Sequence, residues 1–144
     1  MAAALHERMD NMLSNMKRIA RCRDLLIAYL LRFIPDTYVN GSYTIGDVVL
    51  RLPGNANLSF LGVESQALVM ALSAEGVYAS SGSACTSGEA DGSYVLRAMG
   101  YPASRARSAV RFTLPYTVTE DDILGAVPLI VSAVENLRRL TPTP

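Results

Sequence analysis

The 144-residue sequence contains no tryptophan, one histidine, one lysine and two cysteines, and its 13 basic residues balance its 13 acidic residues. A chain with zero net charge and no basic cluster lacks the field that attracts nucleic acid, so we expect no nucleic-acid partner. The two cysteines could form one bridge, but Cys22 lies in an arginine-rich segment predicted to be helical and Cys85 in a predicted loop. We therefore expect both thiols to be reduced, as they are in the cytoplasm.

Long hydrophobic runs are also missing. The most apolar stretch, residues 25–31, ends at Arg32 and is far shorter than the roughly 20 residues that cross a bilayer. The N-terminus lacks the charged start, apolar centre and small-residue cleavage site of a secretory signal. We expect a cytoplasmic protein without membrane contact, and a chain of this length to fold as one domain, residues 1–144, around one core.

The first third of the chain predicts one long amphipathic helix. Its apolar residues recur at spacings of three and four, with only Arg23 interrupting the stripe, and Pro35 ends the helix near Phe33 or Ile34. The stripe can pack on the chain's own sheet, which is the commoner arrangement, or pair two chains as a coiled coil. The stripe consists of Leu5, Met9, Met12, Met16, Ile19, Leu26, Leu30 and Phe33.

Short strands and helices then alternate. Strands are predicted at 36–40, 48–50, 57–60, 77–79 and 109–114, and helices at 64–74, at 94–99 and from Thr119, where a capping box begins. Pro128 should kink or interrupt the last helix. The predicted fold is α+β, a two-layer sandwich with a small mixed or antiparallel sheet and helices on one face. In this division residues 1–34 form the long linking helix and residues 36–140 the α/β domain.

A loop rich in small polar residues carries one of the two cysteines. Residues 80–87 read Ser-Ser-Gly-Ser-Ala-Cys-Thr-Ser, and further glycines and acids extend the predicted loop to residue 92. Such a segment buries little apolar area, so Cys85 is expected to be accessible, as a reacting thiol must be. No cation in the loop favours the thiolate, and Glu89 and Asp91 disfavour it. A free loop cysteine without a role is the alternative.

Four motifs follow one another along the chain. They are Leu-Pro-Gly-Asn-Ala-Asn-Leu-Ser-Phe at 52–60, the cysteine loop at 80–87, Ser-Tyr-Val-Leu-Arg-Ala-Met-Gly at 93–100 and Val-Arg-Phe-Thr-Leu at 110–114. In this order they resemble the C-terminal small domain of cysteine desulfurases of the NifS/IscS type, in the class V aminotransferase family. The resemblance covers nearly the whole chain, and it implies the C-terminal domain of a fold-type I pyridoxal-phosphate enzyme that takes sulfur from L-cysteine.

The resemblance implies roles for individual residues. Cys85 matches the family's catalytic cysteine, which receives the sulfur as a persulfide, and Arg111 matches the arginine that binds the substrate carboxylate. A structural ion pair is the alternative for Arg111. Asn57 is expected to order backbone nearby, His6 to be a solvated helix residue and Cys22 to be inert packing. No resident metal site is implied, with Cys85 left open as a transient iron–sulfur ligand shared with a scaffold protein.

The lysine count bears on the cofactor. Pyridoxal phosphate is carried on a lysine, and the only lysine, Lys17, lies outside any motif that resembles the family's cofactor site. The resemblance therefore implies that the cofactor belongs to a large domain preceding this chain, and that the chain alone is inactive. The long helix would join the two domains, leaving Met9, Met12 and Met16 exposed.

The implied partners are L-cysteine, the large domain, an iron–sulfur scaffold protein as sulfur acceptor, and a second copy in a homodimer. Two other functions stay open at this stage. The chain could be a stand-alone sulfur acceptor or adaptor that carries a persulfide on Cys85, or a dimerisation module derived from such a domain.

Overall fold

The structure is a computed structural model that describes residues 12–82 and 92–140. Five helices and four strands are found in these ranges. In chain order they are α1 (Met12–Phe33), β1 (Thr37–Val39), β2 (Asn55–Phe60), α2 (Ser65–Ala74), β3 (Ser80–Ser81), α3 (Tyr94–Ala98), α4 (Ala103–Arg107), β4 (Ala109–Thr113) and α5 (Glu120–Leu140).

The four strands form one antiparallel sheet in the order β1-β2-β4-β3. The longest pairing joins β2 to β4, with Asn55 opposite Thr113 and Ser59 opposite Ala109. The predicted α+β fold with a small antiparallel sheet is confirmed.

One face of the sheet is closed by the three long helices. Alternate residues of the central strands point into a continuous core with apolar side chains of α1, α2 and α5, as the period of two in a strand requires. We call this side the closed face. Its strand residues are Ala56, Leu58 and Phe60 of β2 and Val110 and Phe112 of β4, each at most 4% exposed.

The intervening residues of the same strands lie on the opposite side, which we call the open face: Asn55, Asn57 and Ser59 of β2 and Ala109, Arg111 and Thr113 of β4. Two one-turn helices cover only one end of it, because Leu96 of α3 and Ala106 of α4 pack with Ala109 and Tyr101 in a small second cluster. These short helices lie across the sheet from the three long ones. Helix α4 has no counterpart among the helices predicted from the sequence.

Helix α1 ends at Phe33, where the sequence predicted. Met9 and the first turns of the predicted helix lie outside the described residues. Met12 is 50% exposed, as expected, whereas Met16 is partly buried. Within the described residues, Ile19, Leu26 and Leu30 of the stripe pack in the core of the same chain, whereas Met12 and Phe33 are 50% and 48% exposed.

Arg23 is not an interruption of that stripe, because its side chain is buried in an ion pair. The Nη2 atom of Arg23 lies 2.8 Å from Oδ1 of Asp24, and Nη1 donates to the carbonyl of Asp47 at 2.8 Å. The other oxygen of Asp24 accepts from the backbone N–H of Gly46 at 2.6 Å. The pair therefore fastens the loop that joins β1 to β2 onto helix α1.

Two predicted strands are wrong. Residues 48–50 do not form a strand, because the carboxylate of Asp47 accepts the backbone N–H groups of Val49 and Leu50 at 2.8 and 3.0 Å. These two hydrogen bonds hold the pKa of Asp47 below its usual value. Residues 77–79 are also irregular, and the strand begins at Ser80, the first residue that pairs with β4.

Helix α5 begins with the predicted capping box. The Thr119 hydroxyl accepts the N–H of Asp122 at 3.2 Å, and the Asp122 carboxylate accepts the Thr119 N–H at 2.8 Å. The predicted interruption at Pro128 is wrong, since the helix runs without a break from Glu120 to Leu140. Pro128 lies on an exposed side of the helix, where water can solvate the Leu124 carbonyl that loses its partner.

Candidate active site

Arg111 lies in the middle of the open face. Its strand neighbours Val110 and Phe112 point into the core, so the Arg111 side chain emerges on the opposite side, where it is exposed. Its cross-strand partners are Asn57 of β2 and Ser80 of β3. Among residues 12–82 and 92–140, the Arg111 side chain has no hydrogen-bond or ion-pair partner. Within that part of the chain, the structural ion pair considered from sequence has no support.

Cys85 lies outside the described residues, but both ends of the segment that carries it are described. Ser81 pairs with Val110 at the edge of the sheet. Gly82 follows, and a Cβ built on it would lie 3.6 Å from the Cβ of Ser93. The chain therefore leaves and re-enters the described structure at one place, next to Ser80, the neighbour of Arg111.

The returning end is packed closely against helix α4. Gly92 has a φ of 76°, which favours glycine, and a Cβ at this position would come within 2.5 Å of backbone atoms of Ala106 and Arg107. The N–H of Ser93 donates to the carbonyl of Ala106. Ser93 precedes α3 as predicted, although its side chain makes no capping hydrogen bond.

Asn57 takes part in a network of polar side chains on the open face. The side-chain oxygen of Asn57 accepts from Nδ2 of Asn40 at 2.7 Å, and the same nitrogen donates to the Ser59 hydroxyl at 2.8 Å. The side-chain oxygen of Asn40 accepts from Nε of Arg105 at 2.7 Å. In the sequence, residue 40 was only the last position of the strand predicted at 36–40, and Arg105 was not singled out. The sequence does not show that Asn40 is buried, whereas in the folded chain its side chain is only 3% exposed.

A groove of about 340 Å³ adjoins this network. Asn57 and Asn40 lie on its polar side, and Val95 and Met99 form part of its apolar side. Arg51 also borders it and is held in place, because Nε of Arg51 donates to the carbonyl of Ser42 at 2.9 Å. The open face thus combines the Arg111 guanidinium, which has no partner in the described part of the chain, with a neighbouring concave surface.

Lys17 does not lie at this site. It is an exposed residue of α1, and α1 packs against the closed face of the sheet. The only lysine of the chain is therefore on the other side of the sheet from Arg111. The residues present do not fit pyridoxal phosphate as a resident group, because none of them can hold it as a Schiff base beside Arg111.

The remaining candidates are placed as the sequence suggested or lie outside the described residues. Cys22 is buried, and burial together with the nearby Glu120 carboxylate raises the pKa of its thiol. A buried, protonated thiol is inert packing rather than a nucleophile. His6 lies outside the described residues.

Two further absences hold for the described ranges. Residues 12–82 and 92–140 contain no group of three or more side chains suited to binding a metal ion. Within the same ranges, the helices are too short or too polar to cross a bilayer.

The curated proteins that resemble this chain are cysteine desulfurases. No protein-family model matches the chain. The chain is 44% identical over 133 residues to a cysteine desulfurase IscS from Haemophilus influenzae, covering 92% of this chain and 31% of that protein. It is 40% identical over 139 residues to an IscS-like cysteine desulfurase from Mycobacterium tuberculosis, covering 96% and 34%. A cysteine desulfurase from Trichormus azollae is 43% identical over 126 residues, covering 88% and 30%.

Solved structures support the fold. A NifS-like protein superposes with a TM-score of 0.75 at 22% identity, over 94% of this chain and 32% of that one. A NifS-like protein from Rickettsia africae superposes with a TM-score of 0.65 at 23% identity, over 92% and 31%. The chain thus spans about 30% of the length of the curated relatives that it matches.

Proposed function

The chain is homologous to the C-terminal part of NifS/IscS-type cysteine desulfurases, and from this relationship we propose that it is the C-terminal domain of such an enzyme. Its role would be to bind L-cysteine and to receive the sulfur on Cys85, yielding L-alanine and a Cys85 persulfide for iron–sulfur cluster assembly. We propose that it acts in the cytoplasm, joined to a large domain that binds pyridoxal phosphate and without which it is inactive.

The observation that carries the proposal is the position of Arg111. A guanidinium exposed in the centre of a sheet, with no acidic partner among residues 12–82 and 92–140, is available for a carboxylate. An arginine can hold a carboxylate through two parallel hydrogen bonds. We infer that Arg111 binds the carboxylate of L-cysteine and so fixes which way the substrate's sulfur points.

The course of the chain around Arg111 supports the role of Cys85. Cys85 is five positions after Ser80, the cross-strand partner of Arg111, and an extended chain of five residues spans at most about 17 Å. A thiol on this segment can therefore approach a substrate held at Arg111.

In the proposed sulfur transfer, the Cys85 thiolate attacks the sulfur of L-cysteine. A sulfur–sulfur bond forms and the carbon–sulfur bond of the substrate breaks. The electron pair of the broken bond stays on the carbon, which gains a proton to give L-alanine. Pyridoxal phosphate, when bound by the large domain, supplies the electron sink that such a bond cleavage needs.

A chimeric enzyme tests this function. The chain would replace the C-terminal part of the Haemophilus influenzae relative, which is 44% identical to it, and alanine and protein persulfide would be measured with L-cysteine. We expect alanine from the chimera and none from the 144-residue chain with added pyridoxal phosphate.

The two cysteines provide a matched control for the chimera. Cys85→Ala should abolish persulfide formation, whereas Cys22→Ala should retain it, because Cys22 is buried away from the open face. A Cys85→Ala chimera that still forms the persulfide would overturn the proposed role. Persulfide formation on the unfused chain in the presence of a complete desulfurase would favour a separate sulfur acceptor instead.

A further inference from the structure

We propose that Asn57 is a second substrate-binding residue, which donates a hydrogen bond to the carboxylate held by Arg111, and that Asn40 and Arg105 position its side chain. This inference rests on the proposed function, since it assumes that Arg111 binds the carboxylate of L-cysteine. It changes the role that the sequence suggested for Asn57, which was to order the backbone.

Asn57 and Arg111 are direct cross-strand partners on the open face. Residues opposite each other in an antiparallel pair have their Cβ atoms about 4.5–5.5 Å apart. Asn57 is half-buried at the edge of the groove, whereas Arg111 is exposed. The two side chains can therefore contact one small ligand from two sides.

The donors and acceptors of the neighbouring side chains determine which way the Asn57 amide faces. Nε of Arg105 can only donate, so the Asn40 atom that it contacts at 2.7 Å must be the side-chain oxygen. The nitrogen of Asn40 then faces Asn57 and Ser59 at 2.7 and 2.8 Å. Because that nitrogen donates, the atom of Asn57 that meets it must be the oxygen.

Ser59 gives the same assignment independently. Its hydroxyl has one proton, which it donates to the backbone carbonyl of Arg105 at 2.8 Å. The hydroxyl must therefore accept from Asn40, which again makes the nitrogen of Asn40 the inward-facing atom. Both nitrogen protons of Asn40 are thus used, and its orientation is fixed from two directions.

Arg105 is itself immobilised. Its Nη2 donates to the carbonyl of Val39 at 2.7 Å, and its guanidinium carbon lies 4.0 Å from the ring centre of Tyr101 and 5.2 Å from that of Tyr38. Stacking between aromatic rings restrains a guanidinium in one plane. The orientation set at Arg105 is therefore passed through Asn40 to Asn57.

The result is a side-chain N–H₂ group of Asn57 that has no hydrogen-bond acceptor among the residues the structure describes. A carboxylate held by an arginine keeps lone pairs free for a further donor. A neutral amide donor adds to binding without a second charge, and hydrogen bonds to charged groups are stronger than those between neutral groups.

Nuclear magnetic resonance of the ¹⁵N-labelled 144-residue chain tests the inference without the cofactor or turnover. L-cysteine is the probe, L-cysteinamide is the probe without a carboxylate, and the backbone amide resonances of β2 and β4 report binding in the wild type and in every variant, Arg111→Ala included. We expect saturable shifts with L-cysteine only, and Asn57→Asp should weaken binding about tenfold or more, because the donor is lost and a negative charge replaces it.

Asn40→Asp separates positioning from contact. An aspartate at residue 40 still accepts from Arg105 but cannot donate, so Asn57 must turn its nitrogen inward and present its oxygen to the ligand. We expect about a tenfold loss of affinity at a residue that does not touch the ligand, together with shifted Asn57 side-chain resonances before any ligand is added. Asn55→Asp is the matched control, since it adds the same charge to the open face of β2 outside the network.

The outcomes distinguish an error in the proposed substrate site at Arg111 from an error in the proposed role of Asn57. If wild-type chain gives no carboxylate-dependent shift, or if Arg111→Ala binds as well as wild type, the substrate site in the proposed function is wrong. If Arg111→Ala abolishes binding but Asn57→Asp weakens it no more than Asn55→Asp, only the role of Asn57 is overturned. Unchanged affinity in Asn40→Asp would overturn the positioning role.

Discussion

The two faces of the sheet are made from alternate residues of the same strands but differ in burial and polarity. In β4, Val110 and Phe112 are buried under three long helices, whereas Arg111 between them is exposed on the open face. The closed face holds the apolar core that stabilises the fold. The open face holds polar side chains whose orientation is fixed by hydrogen bonds, which suits the binding of a small ligand.

The largest expected effect comes from truncating to alanine two adjacent residues of β4 that lie on opposite faces of the sheet. Phe112→Ala removes a side chain that is 4% exposed, and such truncations cost about 3–5 kcal/mol in the free energy of unfolding. Arg111→Ala should change stability little, because this side chain has no partner among the described residues. Urea denaturation followed by circular dichroism measures both. Equal losses for the two variants would contradict the division into a stabilising face and a binding face.

A second pair of variants tests whether the close packing of Gly92 against helix α4 stabilises the fold. Gly92 and Gly76 have similar φ values, 76° and 78°, but only Gly92 is packed against backbone, that of helix α4. Gly76→Ala should cost about 1 kcal/mol from the left-handed backbone alone, and Gly92→Ala about 2–3 kcal/mol because a clash is added. The same urea experiment compares them.

If Gly92→Ala costs no more than Gly76→Ala, the close packing between residue 92 and α4 is not needed for the fold. The base of the segment that carries Cys85 would then be less constrained than the structure indicates.

The closed face could be predicted from sequence because its signal is local. The apolar spacing in α1, the alternation in β2 and β4 and the capping box of α5 each lie within one stretch of chain. The burial of Arg23 could not be predicted in this way. Its ion-pair partner Asp24 is adjacent in sequence, but the loop around residue 47, which covers both side chains, reaches α1 only in the folded chain.

The open face was predicted only at residues that belong to recognisable motifs. Arg111 was identified by its motif and is exposed at the centre of the sheet. Asn40 and Arg105 were not identified, because they are 65 positions apart and their roles depend on one hydrogen bond between them. The strand wrongly predicted at 48–50 failed for a related reason. Its β-forming side chains favoured a strand, but the Asp47 carboxylate bonded the backbone groups that pairing would have used.

The smallest effect concerns the start of α5, a helix of the closed face. Thr119→Ala removes the capping hydroxyl and should cost about 1 kcal/mol of unfolding free energy. The Thr119 side chain, followed by its backbone N–H, holds the pKa of Asp122 below its usual value of 3.8. A carboxyl group with a lowered folded-state pKa stabilises the fold above its unfolded pKa and loses that contribution as pH falls through the folded value.

The difference in stability between wild type and Thr119→Ala should therefore be largest near neutral pH and should narrow below about pH 4. It should not vanish, because the hydrogen bond from the Asp122 N–H to the Thr119 hydroxyl does not depend on the carboxylate charge. Asp122→Asn, alone and combined with Thr119→Ala, is the control: an amide oxygen can still accept but does not titrate, so the effect of Thr119→Ala should become independent of pH. Urea denaturation between pH 3 and pH 7 measures all four proteins. A pH-independent difference in the Thr119→Ala comparison would mean that the carboxylate charge contributes nothing to this cap.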